Sequence, residues 1–142
     1  MTGYKTDADI ESLVRAFETA TISRDAWGHA EHLIVALYYL ERNDIETATN
    51  RIRDGIFNLL RNGFKVDLTK EMPYHETMTI FWMRTVAAFN VSKNGTSTLE
   101  KVREMIELYD KDYPLKFYTR DLLFSDRARA EFVEPDISLP KS

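Results

Sequence analysis

The stretch Trp27-Gly28-His29-Ala30-Glu31-His32-Leu33-Ile34-Val35-Ala36-Leu37-Tyr38-Tyr39-Leu40-Glu41 decides how this chain is read. Leu33, Ala36, Leu37 and Leu40 recur at helical spacing and form one apolar stripe. The spacing predicts a helix that begins after Ser23 or Asp25 and runs to about Glu41. Extended back by four residues, the stripe reaches His29. A histidine therefore stands at the start of a face that points inward. His32 follows at i+3, about one position off the stripe.

The chain has three histidines, and the third lies in Tyr74-His75-Glu76-Thr77. This segment also opens a helix. Pro73 suits its first turn, where a missing N–H costs nothing. Trp82, Val86 and Phe89 form its stripe, which passes back through Thr79 to His75 and forward to about Val91. Thr79 stands where an alkyl side chain would pack better. It is a candidate to orient His75 or to line a polar cavity, or it bonds the carbonyl one turn back.

Three further helices follow from the same periodicity. One runs from about Asp7 to Thr21, with Ile10, Leu13, Val14 and Phe17 inward and Thr6 or Asp7 as cap. Another runs from Ile45 to Asn62 behind an Asn43-Asp44 turn, and Gly63 suits the left-handed position past its end. Ser97-Thr98-Leu99-Glu100 reads as a capping box opening a helix to about Tyr109. Phe64-Lys65-Val66 reads as a short extended piece. Beyond Pro114 the expectation is irregular chain, one short helix from Ser125 to Phe132, and a proline-containing tail, Glu134 to Pro140. The fold expected is all-α: a single domain over 1–142, built as a four- to five-helix up-down bundle with a short C-terminal helix.

In an up-down bundle the helices bearing His29 and His75 point the same way, so both histidines begin at one end. The last turns of the first and third helices should reach that end, bringing Glu18 and Asn58. Trp27 and Tyr74 flank the histidines. The candidate site is thus Glu18, Trp27, His29, His32, Asn58, Tyr74, His75, Glu76 and Thr79. His29, His32 and His75 are candidate metal ligands. Glu76 and Glu18 are candidate bases or further ligands, and Trp27, Asn58, Tyr74 and Thr79 candidate ligand contacts.

Three chemistries are open to this set. Two histidines at i and i+3 with a third ligand suit zinc, with one position left for water. Two histidines and a carboxylate suit ferrous iron. Without a metal, the cluster is an acid–base or binding site for a small molecule. The bland alternative is a non-enzymatic interaction module in which the histidines cap helix ends as a structural hydrogen-bond network.

Composition narrows the rest. The 142 residues carry a net charge of −4, with basic residues dispersed among acids, which argues against nucleic-acid binding. The apolar run Leu33 to Leu37 is far too short to span a bilayer. The N-terminus lacks the apolar core of a signal peptide. There is no cysteine, which excludes thiol catalysis and disulfides and makes a cytoplasmic location the default. Oligomeric state is open on this reading.

Trp27-x-His29-x-x-His32-Leu33, Tyr74-His75-Glu76-Thr77, Ser125-x-x-Ala128-Arg129 and Glu134-Pro135-Asp136-x-x-Leu139-Pro140 together resemble a group of small uncharacterised bacterial all-helical proteins. The likeness runs from about Phe17 to Pro140. It implies no activity, but it implies that the tail belongs to the domain. A looser, architectural likeness is to four-helix metal proteins of the DinB-like type. Their histidine spacing differs, so no residue role follows from it.

Overall fold

The structure is a computed structural model, and residues 3–137 are described. The end of the expected tail, 138–140, lies outside them. The described residues form helices and turns with no strand. The first helix, α1, spans Asp7–Glu18. Thr6 and Asp9 cap it reciprocally, through Asp9 N to Thr6 Oγ1 at 3.2 Å and Thr6 N to Asp9 Oδ2 at 3.1 Å. It stops short of the expected Thr21 because Ala20 turns left-handed at φ 56°. The Thr21 N–H then returns to the Ala16 carbonyl at 2.8 Å.

Helix α2 spans His29–Arg42. It starts several residues later than expected, at Gly28, whose N–H donates to Glu31 Oε1 at 3.0 Å. Helix α3 spans Ile45–Asn58, capped by Asp44, which accepts from Thr47 N at 2.7 Å. Residues Leu59–Gly63 then widen into a π turn instead of continuing as α-helix to Asn62. Gly63 does not take the left-handed role; Lys65 does, at φ 57°. Gly63 is a close-approach position: a Cβ there would stand 2.9 Å from the Ala20 carbonyl oxygen. The turn after α3 is thus pressed against the turn after α1, and the extended piece expected at 64–66 does not form.

Helix α4 spans Glu76–Ser92, and α5 spans Thr98–Leu108 behind Ser97, which accepts from Glu100 N at 3.3 Å. Pro73 lies outside α4, because His75 is its cap. The segment expected to be irregular is more ordered than that. It holds a 3₁₀ turn at Tyr113–Lys116, α6 at Arg120–Leu123 and α7 at Asp126–Ala130.

Helix α2 packs against α1, α3, α4 and α5. Leu33, Ile34, Val35, Ala36 and Leu37 are all buried, so α2 is covered on every side rather than along one stripe. Helix α1 departs from the antiparallel arrangement. Tyr4, just before it, donates to Glu31 Oε2 at 2.7 Å, and Tyr39 donates to Glu18 Oε2 at 2.7 Å. Its start is thus tied near the start of α2 and its end further along α2, so α1 runs in the same sense as α2. The ten residues 19–28 between them make room for that return.

A second apolar cluster forms on α4, where Phe81 packs with Tyr118, Leu123, Ala128 and Val133. Polar ties hold this C-terminal segment down. Thr77 Oγ1 donates to the Glu131 carbonyl at 2.9 Å and accepts from Val133 N at 3.2 Å. Asp136 accepts from Thr119 N and Oγ1 at 2.8 and 2.7 Å. The tail as far as 137 is therefore part of the fold.

Candidate functional site

The starts of α2 and α4 meet at a cavity of about 280 Å³. Leu33, Ala36, Ile52, Ile56, Met78, Met83 and Trp82 supply its apolar wall. His29, His32, Tyr74, His75 and Thr79 supply its polar atoms, and Lys111 stands at its exposed side. All three histidines therefore line one space. Their chemistry differs because their partners differ.

His75 is the helix cap of α4. Its Nδ1 accepts from Met78 N at 3.1 Å, and its Nε2 lies 2.6 Å from the Leu123 carbonyl oxygen. A carbonyl only accepts, so Nε2 carries the proton and Nδ1 the lone pair. Both nitrogens are occupied. Burial holds the ring's pKa below the ordinary histidine value.

His29 is the first residue of α2, and its Nε2 donates to the Tyr109 carbonyl at 2.9 Å. Its ring lies 5.0 Å from the Trp82 ring. Nδ1 has no partner among the described residues.

His32 donates from Nδ1 to the Gly28 carbonyl at 3.3 Å, which leaves Nε2 as a bare acceptor. Burial, with the neighbouring His29, pushes its pKa down to about 4 against the opposing Gly28 bond, so the ring is neutral at pH 7. Trp27 stacks on Phe17 at 4.8 Å and lies 4.3 Å from the His32 ring. Trp27 thus backs His32 and does not line the cavity. Thr85 Oγ1 is the one fully buried side-chain polar atom without a partner among the described residues, so His32 Nε2 and His29 Nδ1 are not sealed off.

The carboxylates expected here are elsewhere. Glu18 is bonded to Tyr39, and Asn58 Nδ2 points at the Glu18 carbonyl at 3.4 Å; neither lines the cavity. Because α1 runs in the same sense as α2, its last turn lies beside Tyr39 rather than at the start of α2, and Asn58 meets it there. Glu76 turns out of the cavity to Arg53, which grips it through Nε at 3.0 Å and Nη2 at 2.7 Å. Burial pushes the Glu76 carboxyl up, but the Arg53 fork and the Tyr74 hydroxyl outweigh it and hold it below the ordinary range. That makes Glu76 a fixed anion and a poor proton acceptor. Tyr74 donates to Glu76 Oε1 at 2.6 Å, and burial with that bond pushes its hydroxyl up to about 12. Thr79 Oγ1 donates to the His75 carbonyl at 3.0 Å, one turn back.

Of the side chains expected as metal ligands, only His29 Nδ1 and His32 Nε2 keep a lone pair without a partner among the described residues. His75 has no lone pair to offer, Glu18 is remote and Glu76 is bound to Arg53. Among the described residues no group of three histidine or acidic side chains is placed to hold a metal ion.

Three participants escaped the sequence reading. Arg53 is the partner of Glu76; an arginine level with a carboxylate one helix away has no sequence signature. Lys111 follows α5 in a stretch with no periodicity. Trp82 reads as core, and its place on the inward stripe beside Thr79 was the available signal.

No helix among the described residues is long and apolar enough to cross a membrane. No family model, no curated protein and no solved structure matches the chain.

Proposed function

We propose that the protein binds a small, largely apolar molecule in the cavity between the starts of α2 and α4, without a metal. On this reading the helices act as a bundle open at one end, and the C-terminal segment closes part of that end. The observation that carries it is His32: a neutral ring lining an apolar cavity, with one nitrogen held by Gly28 and the other an acceptor without a partner among the described residues. Pockets that recognise small molecules combine such an apolar wall with a few placed polar atoms. The cavity volume of about 280 Å³ lies just below the roughly 300–1,000 Å³ of that class.

The alternative, histidines as structural clamps, fits part of the same set. His75, bonded to Met78 and Leu123, holds the C-terminal segment to α4. His29, bonded to Tyr109, anchors the chain leaving α5. The division of labour proposed is that His75 is structural, while His32 faces the ligand and His29 borders it.

Side-chain ¹⁵N spectra of the three histidines test this during a screen of small aromatic and aliphatic fragments. Fragments that bind should move the His32 and His29 signals, and Ala36→Leu, which fills the cavity, should abolish the effect while the helical spectrum is kept. Added zinc should leave the signals in place. A screen in which no fragment moves either histidine would remove this reading, whatever the folding of the filled variant.

A further inference from the structure

The cavity is electrically lopsided, and that asymmetry selects a ligand class. Among the described residues that line it, Lys111 is the only lysine, arginine or carboxylate side chain; His32 is neutral and His75 has both nitrogens bonded. Lys111 is exposed and makes no ion pair among the described residues. Asp110 and Asp112 flank it in the chain, but neither lines the cavity. Glu76, the nearest acid in sequence to the lining residues of α4, is neutralised by Arg53. Lys111 is thus the cationic group that an anionic part of a ligand would meet at this cavity.

His32 makes the opposite demand. Its Gly28 bond places the ring proton on Nδ1, so Nε2 presents a lone pair. A lone pair repels a carboxylate and accepts from a hydroxyl or N–H. The wall of the cavity also carries the Trp82 and Tyr74 rings and the Met78 and Met83 thioethers. Rings and thioethers pack well on a flat aromatic body. The cavity of about 280 Å³ has room for a substituted ring.

We propose that the ligand is a small aromatic acid, its carboxylate at Lys111 and a hydroxyl or N–H donor at the other end of the ring on His32 Nε2. This rests on the pocket reading above and names its substrate class.

The probes are 4-hydroxyphenylacetate, its neutral analogue 2-(4-hydroxyphenyl)ethanol, and phenylacetate, which lacks the donor. Dissociation constants are measured by titration calorimetry on the full chain and on Lys111→Gln. The hydroxy acid should bind about tenfold more tightly than either analogue, the worth of one charge-assisted or one buried hydrogen bond. Lys111→Gln, an exposed change, should erase the preference over the alcohol and keep the preference over phenylacetate. Equal binding of acid and alcohol to the unaltered protein would overturn the anion assignment while leaving the pocket reading intact. Failure of all three probes, with other fragments still moving His32, would overturn the aromatic-acid class. Failure of every fragment is the separate result that removes the pocket reading itself.

Discussion

Three histidines in one cavity do three different things, and the carbonyl each one meets decides which. A carbonyl fixes the proton on the nitrogen facing it, and the other nitrogen is left to a backbone N–H at His75 or to the cavity at His32. The same accounting singles out Thr85, which is buried in α4 with a hydroxyl that bonds nothing among the described residues. A hydroxyl sealed without a partner costs about 1–3 kcal/mol relative to a bonded one. Thr85→Val keeps the shape and removes that hydroxyl. It should raise stability, by about 1 kcal/mol, seen as a higher urea midpoint at unchanged slope.

At the scale of elements, α1 and α3 are held together by a position where helix propensity gives the wrong answer. Gly55 lies inside α3, where alanine is ordinarily favoured by up to about 1 kcal/mol. A Cβ at Gly55 would overlap the ring of Phe17, which is fully buried on α1. Neither the ring nor the backbone can retreat without opening the core. Gly55→Ala should therefore lower stability, by about 1–2 kcal/mol net, and Phe17→Leu in the same chain should recover part of the loss. A thermal melt of the two variants against the parent checks both signs.

The caps of α1, α3 and α5 were legible in the sequence, because Thr6, Asp44 and Ser97 bond an N–H three residues on and need no distant partner. The start of α4 was not. Pro73 is a good first-turn residue by local rules, but His75 takes the cap once Leu123 arrives to fix its tautomer. The π turn after α3 was equally hidden, since it answers to the approach of Ala20 on another element.

Across the whole molecule, the neutral histidines make stability depend on pH. His32 titrates at about 4 folded against 6.5 unfolded, and His75 is also lowered. The unfolded chain therefore binds more protons than the folded one below pH 6.5, and stability falls as the pH drops towards 4. The His32 contribution is on the order of 3 kcal/mol, complete above pH 6.5 and lost across that window. The aspartates held low, Asp9, Asp44, Asp67 and Asp136, have an ordinary value of 3.8, so their contributions are lost at lower pH. Denaturant midpoints from pH 7 to 4.5 should fall for the parent and stay flatter for His32→Asn, whose amide can still donate to Gly28.

The sequence by itself determined that this protein is helical, where most helices begin, and that its histidines stand at two helix starts. Those are local matters: spacing along one strip of chain, and caps within three residues. Only the tertiary structure decided which way α1 runs relative to α2, and with it that Glu18 and Asn58 stay away from the cavity. It also decided that Arg53 takes Glu76, that Leu123 and Tyr109 hold two of the three histidines, and that Lys111 stands at the cavity's open side. Each of these is a meeting of residues more than twenty positions apart. Geometry of that kind is set by how apolar faces pack, and periodicity tells which face is apolar but not which neighbour will cover it.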